Sequence, residues 1–151
     1  MKWETSSIET FFQEQQYIDT LCIPLLPVTF KTESDAKKYA NQAELLQILT
    51  HELERDFMGR IFLSTPYTYF VENDYDEEVQ RINQWTEEMG DKFRHKFLLT
   101  FDVHWKKREG TLSSTLIWLP SRYIENVDSN EAKEWVTDQK SQVSELIQSF
   151  W

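Results

Sequence analysis

Asp102 and His104 are the residues whose types and spacing come nearest to a catalytic arrangement in this chain. The segment Phe97–Trp105 alternates apolar and polar residues, which predicts a strand with Asp102 and His104 on one face. A carboxylate beside an imidazole can orient a general base. Residues 113–115 carry hydroxyls on the next predicted strand, close enough to complete such a site. Because the same pattern arises on the less buried face of an ordinary sheet, Asp102 and His104 are only a candidate polar site.

Two further segments collect metal-ligating residue types without completing a motif. The segment His51–Arg55 begins like the zinc-binding helix of zincins, but Arg55 stands where the second histidine must be. Within the acidic run Glu72–Glu78, Asp74, Asp76 and Glu78 are spaced like the start of an EF-hand loop, but the sixth position counted from Asp74 is Val79 instead of Gly and the twelfth is Trp85 instead of Glu. Carboxylates are also favoured at helix N-termini, which explains the acidic run without a cation. The sequence therefore predicts no metal ion and no cofactor.

The glycines and the cysteine exclude several other chemistries. Gly59 and Gly90 follow predicted helices and Gly110 lies in a polar turn, so no glycine remains for a phosphate-binding loop or a nucleophile elbow. Cys22 lies in the apolar run Leu21–Val28, where we expect a buried and unreactive thiol. A single cysteine cannot form a disulfide within the chain, which is typical of a reducing compartment.

Aromatic residues are abundant, with six Trp, six Tyr and ten Phe. Tyr67, Tyr69 and Phe70 end the second predicted strand, at the edge where open α/β sheets carry their binding loops. Tyr67 and Tyr69 share a face of that strand and can line a pocket or a protein-binding surface. We therefore take Tyr67, Tyr69 and Phe70 as a candidate binding patch. The alternative is that these side chains pack beneath the first helix.

The elements that must position these residues follow from the hydrophobic pattern. Capping-box patterns predict helix starts at Ser6 and Asp74, and Asp128 or Ser129 is the expected cap of the last helix. The longest helix is predicted over Asp35–Met58. Strands are predicted over Tyr17–Phe30, Ile61–Phe70, Phe97–Trp105 and Thr111–Leu119.

The predicted order of elements is α-β-α-β-α-β-β-α over one domain, residues 1–151. The first two β-α-β units favour parallel crossovers. The polar turn Lys106–Gly110 predicts that the last two strands form an antiparallel hairpin. We therefore expect a small three-layer α/β/α domain with a mixed four-stranded sheet, strand order 2-1-3-4, and an antiparallel last strand.

Charge and hydropathy restrict the partners and the location. The net charge of −10 is spread along the chain and repels nucleic acid and anionic lipid, although small basic clusters, Arg94–Lys96 and Lys106–Arg108, flank the third predicted strand. No apolar run approaches the roughly 20 residues of a membrane span. The first residues, Met1–Glu9, carry no hydrophobic signal-peptide region. We therefore expect a cytoplasmic protein without a membrane span, for which nucleic acid is an improbable partner.

Five parts of the chain carry a family resemblance: Met1–Trp3, Tyr17–Thr20, Ile23–Pro27, Glu52–Arg55 with Gly59–Arg60, and Pro66–Phe70. Together they resemble the YpiF family of Bacillus and relatives, a family of unknown function. The resemblance extends over most of the chain and implies at most a cytosolic accessory role, with no catalytic residue to carry over.

A more distant likeness concerns only the layout of the elements. The arrangement concerns three segments, Ile23–Val28, Leu49–Pro66 and Leu98–Leu119. It is similar to that of the N-terminal domain of TolB-like and curli-secretion-type proteins. The likeness supports a mixed three-layer sheet and carries no function, because one fold hosts many functions.

Two functions are consistent with these observations. The absence of catalytic signatures, the aromatic content and the acidic charge favour a non-catalytic domain that binds an unidentified protein partner. The alternative is a small-molecule-binding protein or an enzyme. Its site would lie at the C-terminal ends of the parallel strands, near Pro27–Thr29 and Thr65–Tyr69, or at Asp102 and His104.

Overall fold

The computed structural model describes all residues 1–151, and helices and strands alternate along the chain. Of the predicted helix starts, Asp74 and Ser129 cap their helices, whereas the capping box at Ser6 is wrong because the first helix begins at Thr5 without a side-chain cap. The elements are α1 (Thr5–Gln13), β1 (Thr20–Val28), α2 (Glu33–Asp56), β2 (Ile61–Leu63), β3 (Tyr67–Phe70), α3 (Tyr75–Glu87), β4 (His95–Thr100), β5 (Thr115–Trp118) and α4 (Asn130–Gln148), with 3₁₀ helices at Gly90–Lys92 and Val103–Thr111.

Strand β1 is the centre of the sheet and is buried on both faces. Its continuous apolar run has the composition expected of a strand covered on two sides, and every residue except Val28 is buried. Cys22 and Leu26 belong to the core that α2 and α4 cover, whereas alternate β1 residues belong to the core that α1 and α3 cover. The prediction of a buried strand between two helical layers is confirmed. None of the helices combines the length and the apolar composition that crossing a membrane requires.

The sheet has five strands, and every pairing in it is parallel. The strand order is β2-β1-β4-β5, and β3 pairs with the second half of β1. The expected four-stranded mixed sheet, order 2-1-3-4 with an antiparallel last strand, is therefore wrong. The single predicted strand Ile61–Phe70 is in fact two short strands, and the last strand runs parallel to its neighbour.

Pro24 explains why the second predicted strand is divided. Thr20 and Cys22 pair with β2 and Leu25 pairs with β3, so residues 64–66 bulge opposite residues 23 and 24. Backbone groups of alternate residues point to the same side of a strand. The Cys22 carbonyl accepts a bond from Ser64 N–H on the β2 side, so Pro24 also faces that side. Because proline has no N–H to donate, the ladder is interrupted there.

Asp102 is the reason that the predicted hairpin does not form. The alternation over Phe97–Trp105 suggests a long strand, but β4 ends at Thr100 and the Asp102 carboxylate accepts the His104 backbone N–H at 3.0 Å. This contact caps the 3₁₀ helix over residues 103–111, which crosses from the end of β4 to the start of β5. The two strands consequently run in the same direction.

We predict that Cys22 reports global unfolding of the protein. Complete burial raises the pKa of its thiol to about 12, so the nucleophilic thiolate is nearly absent at neutral pH. Iodoacetamide labelling followed by mass spectrometry should therefore be slow in native buffer and should accelerate with urea in parallel with the loss of circular dichroism. Ser121→Cys adds an exposed thiol as the control, and native Cys22 reacting as fast as that thiol would contradict the prediction.

Candidate functional site

The crevice between β1 and β4 lies where the strand order reverses. The chain leaves β1 through α2 to reach β2 on one side, and later enters β4 on the other side through α3. In open α/β sheets, ligands bind outside the carboxyl ends of the strands at this position. Thr29 directly follows β1 here, and Asp102 follows β4 by two residues.

Asp102 places a buried carboxylate at this crevice, with its side chain 3% exposed. One carboxylate oxygen accepts the Tyr69 hydroxyl at 2.6 Å and also the Tyr75 hydroxyl. The other oxygen accepts the His104 backbone N–H at 3.0 Å and lies 2.7 Å from His104 Nδ1. A buried carboxylate is tolerated only when hydrogen bonds replace its lost hydration, and four groups around Asp102 do so.

Aromatic rings surround Asp102 and connect three elements. The Trp105 Nε1–H donates to the Tyr69 hydroxyl at 2.7 Å, and the two rings meet edge to face at 5.3 Å. Tyr75, at the start of α3, packs against both rings. Burial, and then the neighbouring Asp102 carboxylate, hold the pKa values of Tyr69 and Tyr75 well above the usual range. We call these four residues, Tyr69, Tyr75, Asp102 and Trp105, the Asp102 cluster.

The candidate polar site, Asp102 and His104, is brought together, although by a 3₁₀ turn instead of a strand face. The His104 imidazole is half exposed, with Nδ1 directed at the carboxylate. The hydroxyls of residues 113–115 do not join it, because they lie at the amino-terminal end of β5, where Ser113 contacts Asn83 and Thr86. The structure therefore holds an oriented imidazole without the hydroxyl that the sequence suggested.

The candidate patch at the end of β3 is mostly turned inward. The exposed fraction of Tyr69 is 3%, and its ring belongs to the Asp102 cluster. Tyr67 is half-buried and donates its hydroxyl to the buried Glu78 at 2.6 Å, so burial and this bond raise its pKa. Phe70 alone of the three faces solvent, with 47% of its surface exposed. Both tyrosines contact α3, since Tyr67 is bonded to Glu78 and the Tyr69 ring meets the Tyr75 ring edge to face at 5.7 Å.

Most of the carboxylates of the acidic run have structural partners. Asp74 caps α3, and Asp76 pairs with Arg108 at 2.9 Å. Glu78 accepts bonds from Tyr67, Asn73 and Arg81. The structure contains no group of three or more His, Cys, Asp or Glu side chains that could hold a metal ion.

The cavities are small near the C-terminal ends of the strands, where the alternative function, a small-molecule site, would lie. Two clefts that reach Thr65 hold about 180 and 150 Å³, and neither is lined by Asp102 or by Pro27–Thr29. Sites for small molecules typically hold about 300–1,000 Å³. A larger cavity, about 600 Å³, lies at the opposite ends of β4 and β5.

Comparison with known proteins agrees with the sequence resemblance. Residues 9–151 match a family described as "Protein of unknown function (DUF2487)". The chain belongs to this family. A Bacillus subtilis (strain 168) protein described as "Uncharacterized protein YpiF" is 28% identical over 151 residues, which is 100% of this chain and 98% of that relative. No solved structure matches the chain. Family membership assigns no activity, so the function must be argued from the residues.

We predict that Asp102→Asn destabilises the fold. The amide nitrogen cannot accept a hydrogen bond, so one buried donor loses its partner, at a cost of about 1–3 kcal/mol in the free energy of unfolding. Urea denaturation followed by circular dichroism measures this loss. Asp128→Asn is the matched control, because Asp128 is exposed and should change stability by less than about 0.5 kcal/mol. Equal losses in the two variants would contradict the role of the Asp102 cluster.

We also predict a loss of stability at alkaline pH. Tyr67, Tyr69 and Tyr75 have raised pKa values in the folded state, so the unfolded chain releases their protons first. Stability should be fully present below the unfolded pKa of about 10 and should decline as the pH rises above it. Urea midpoints measured against pH, with phenolate absorbance, should show ionisation accompanying unfolding. Tyr75→Phe should flatten this dependence, whereas Tyr123→Phe, at an exposed position, should leave it unchanged.

Proposed function

We propose that this protein is a non-catalytic cytoplasmic domain that binds a partner protein through the carboxyl edge of its sheet. Three apolar side chains at this edge carry the proposal: Phe30 is 86% exposed, Val103 is 52% exposed and Phe70 is 47% exposed. We call Phe30, Phe70 and Val103 the edge patch. Exposed aromatic side chains at the ends of a rigid sheet are suited to bury themselves in a partner.

The positions of the edge patch are fixed by the residues that precede each of its members. Phe70 follows Tyr69, whose hydroxyl is bonded to Asp102, and Val103 follows Asp102 itself. Phe30 follows the buried Thr29, whose hydroxyl donates to the Glu72 carboxylate. Each exposed apolar side chain is therefore adjacent to an inward polar one that is hydrogen-bonded. Such preorganisation lowers the entropy that binding must cost.

The charge around the edge patch indicates the chemistry of the partner. Glu33 and Asp35 lie in the first turn of α2, beside Phe30, and Glu72 follows Phe70 by two residues. None of these three carboxylates forms a salt bridge, and Lys31, which follows Phe30 and is near Glu72, only partly offsets their charge. With a net charge of −10, the chain favours a partner that offers an apolar pocket with a basic rim.

Two observations favour this function over a small-molecule site at the same edge. The clefts that reach Thr65 are smaller than ordinary ligand pockets, so this edge is better suited to a protein partner than to a small ligand. His104 is oriented by Asp102, but the predicted hydroxyls lie at the other end of β5.

The single, buried thiol of Cys22 supports placement in a reducing compartment.

The proposal predicts that the double variant Phe30→Ser and Phe70→Ser loses its partner. Tagged protein should be crosslinked in its native cells, captured, and compared with a control in which Phe12 and Tyr17, each 62% exposed, are changed to Ser. Loss of two central aromatic contacts should weaken binding at least about tenfold. The partner recovered with the control should also dissociate more readily at high salt, because its rim charges are screened.

The proposal fails if the edge variant retains every partner of the unmodified protein. It also fails if the edge variant and the Phe12 and Tyr17 control lose partners equally. Circular dichroism of both variants verifies that the substitutions leave the fold intact.

A further inference from the structure

A second surface feature lies at the amino-terminal ends of the strands, on the side of the sheet opposite the edge patch. A cavity of about 600 Å³ opens at the amino-terminal ends of β4 and β5, within the usual size of a ligand site. Its lining is Gly90, Asp91, Phe93, Arg94, His95, Lys96, Phe97, Ser113, Ser114, Thr115 and Phe150. A cationic and hydroxyl-rich cavity is unexpected on a chain whose net charge is −10.

Two cations of the lining have donors to spare. Arg94 is exposed and takes part in none of the salt bridges of the protein. The Lys96 ammonium donates to the carbonyls of Thr86 and Gly90, both at 3.0 Å, and so caps the end of α3. An ammonium carries three N–H groups, so one remains for a ligand.

The Ser114 hydroxyl is the third donor of the cavity. Its oxygen is buried and has no hydrogen-bond partner in the protein, although a buried hydroxyl is normally bonded. The neighbouring Ser113 differs, because its hydroxyl is bonded to Asn83 and lies near Thr86. Because Ser114 belongs to the lining of a cationic cavity, a turn of its side chain toward the cavity would give this hydroxyl a ligand acceptor as its partner.

Aromatic rings form another part of the same wall. Phe97 meets Phe150 edge to face at 5.3 Å, and the His95 ring is nearly parallel to Phe97 at 6.4 Å. These surfaces suit the organic portion of a ligand. Asp91 is the one acidic side chain of the lining, so the cavity retains a cationic excess.

We propose that this cavity binds a small phosphate monoester. Arg94, Lys96 and Ser114 line the same cavity and supply three separate donor groups, equal in number to the three terminal oxygens of a monoester. The cavity is far larger than a phosphate alone, and its aromatic wall accommodates the rest of the molecule. The site is independent of the edge patch and of the partner proposed for it.

The experiment is a titration of the isotopically labelled full chain, followed by amide chemical shifts at constant ionic strength. The probes are inorganic phosphate, adenosine monophosphate, and a dinucleotide that lacks a terminal phosphate. Saturable shifts should appear at Gly90, Asp91 and residues 113–115 with the first two probes. Adenosine monophosphate should bind more tightly, and the dinucleotide, which has no monoester group, should not bind.

The variants Arg94→Gln and Ser114→Ala should each weaken binding about tenfold, because each removes a hydrogen bond to a charged group. Arg55→Gln removes the same charge at an exposed position on α2 and should leave binding unchanged. Equal weakening by Arg94→Gln and Arg55→Gln would show unspecific attraction and overturn the proposal. Shifts absent at millimolar phosphate, or equal binding of the dinucleotide, would also overturn it.

Discussion

A central strand that contains two prolines constrains how the rest of this sheet is assembled. Pro24 cannot donate toward the β2 and β3 side of β1, and the partner chain bulges outward there over residues 64–66. Pro27 has the opposite parity and faces the β4 side, but the β1–β4 ladder ends at the pair of Pro24 with Leu99. Pro24 and Pro27 therefore lie at positions where no carbonyl of a neighbouring strand needs a hydrogen bond from their backbone nitrogen. The division of the edge strand into β2 and β3 follows from the missing N–H of Pro24.

The carboxyl edge of the sheet combines inward polar residues with outward apolar ones. A buried carboxylate costs hydration, and the Tyr69, Tyr75 and His104 donors around Asp102 offset that cost. The hydrogen bonds from Tyr69 and Tyr75 to Asp102 also hold the connection after β4 against β3 and α3. The apolar side chains that follow these polar residues, Phe30, Phe70 and Val103, are exposed. Polar side chains thus point inward and apolar ones outward at this edge, and this arrangement is the basis of the proposal that it binds a partner.

The sequence was sufficient for elements whose patterns are long and for caps whose chemistry is local. The buried run of β1, the long helix α2 and the caps at Asp74 and Ser129 are of this kind. The hairpin was mispredicted because Leu99, Phe101, Val103 and Trp105 alternate as a strand does. In the structure Trp105 enters the opposite core from Leu99 and Phe101, after a turn set by Asp102.

The candidate site was predictable only in part for a similar reason. The proximity of Asp102 and His104 follows from a spacing of two residues, whether the backbone is extended or capped. The exposure of Phe30 could not be predicted, because it ends the same apolar run that is buried from Thr20 onward. The inward packing of Tyr69 depends on Trp105 and Asp102, which are more than thirty residues away in the chain. Contacts of that range have no local signal.

The interruption opposite Pro24 has a consequence for colloidal behaviour. Sheet edges template the addition of strands from other molecules when they are long and continuous. One lateral edge of this sheet consists of β2, with three residues, and β3, with four residues, and a bulge that contains Pro66 separates them. The other lateral edge is β5, with four residues. Lys2 pairs with Leu63 along β2, and Pro120 follows β5 closely. One edge is interrupted and the other is only four residues long, so neither offers a long continuous ladder to a second chain, and this sheet is protected from edge-to-edge aggregation.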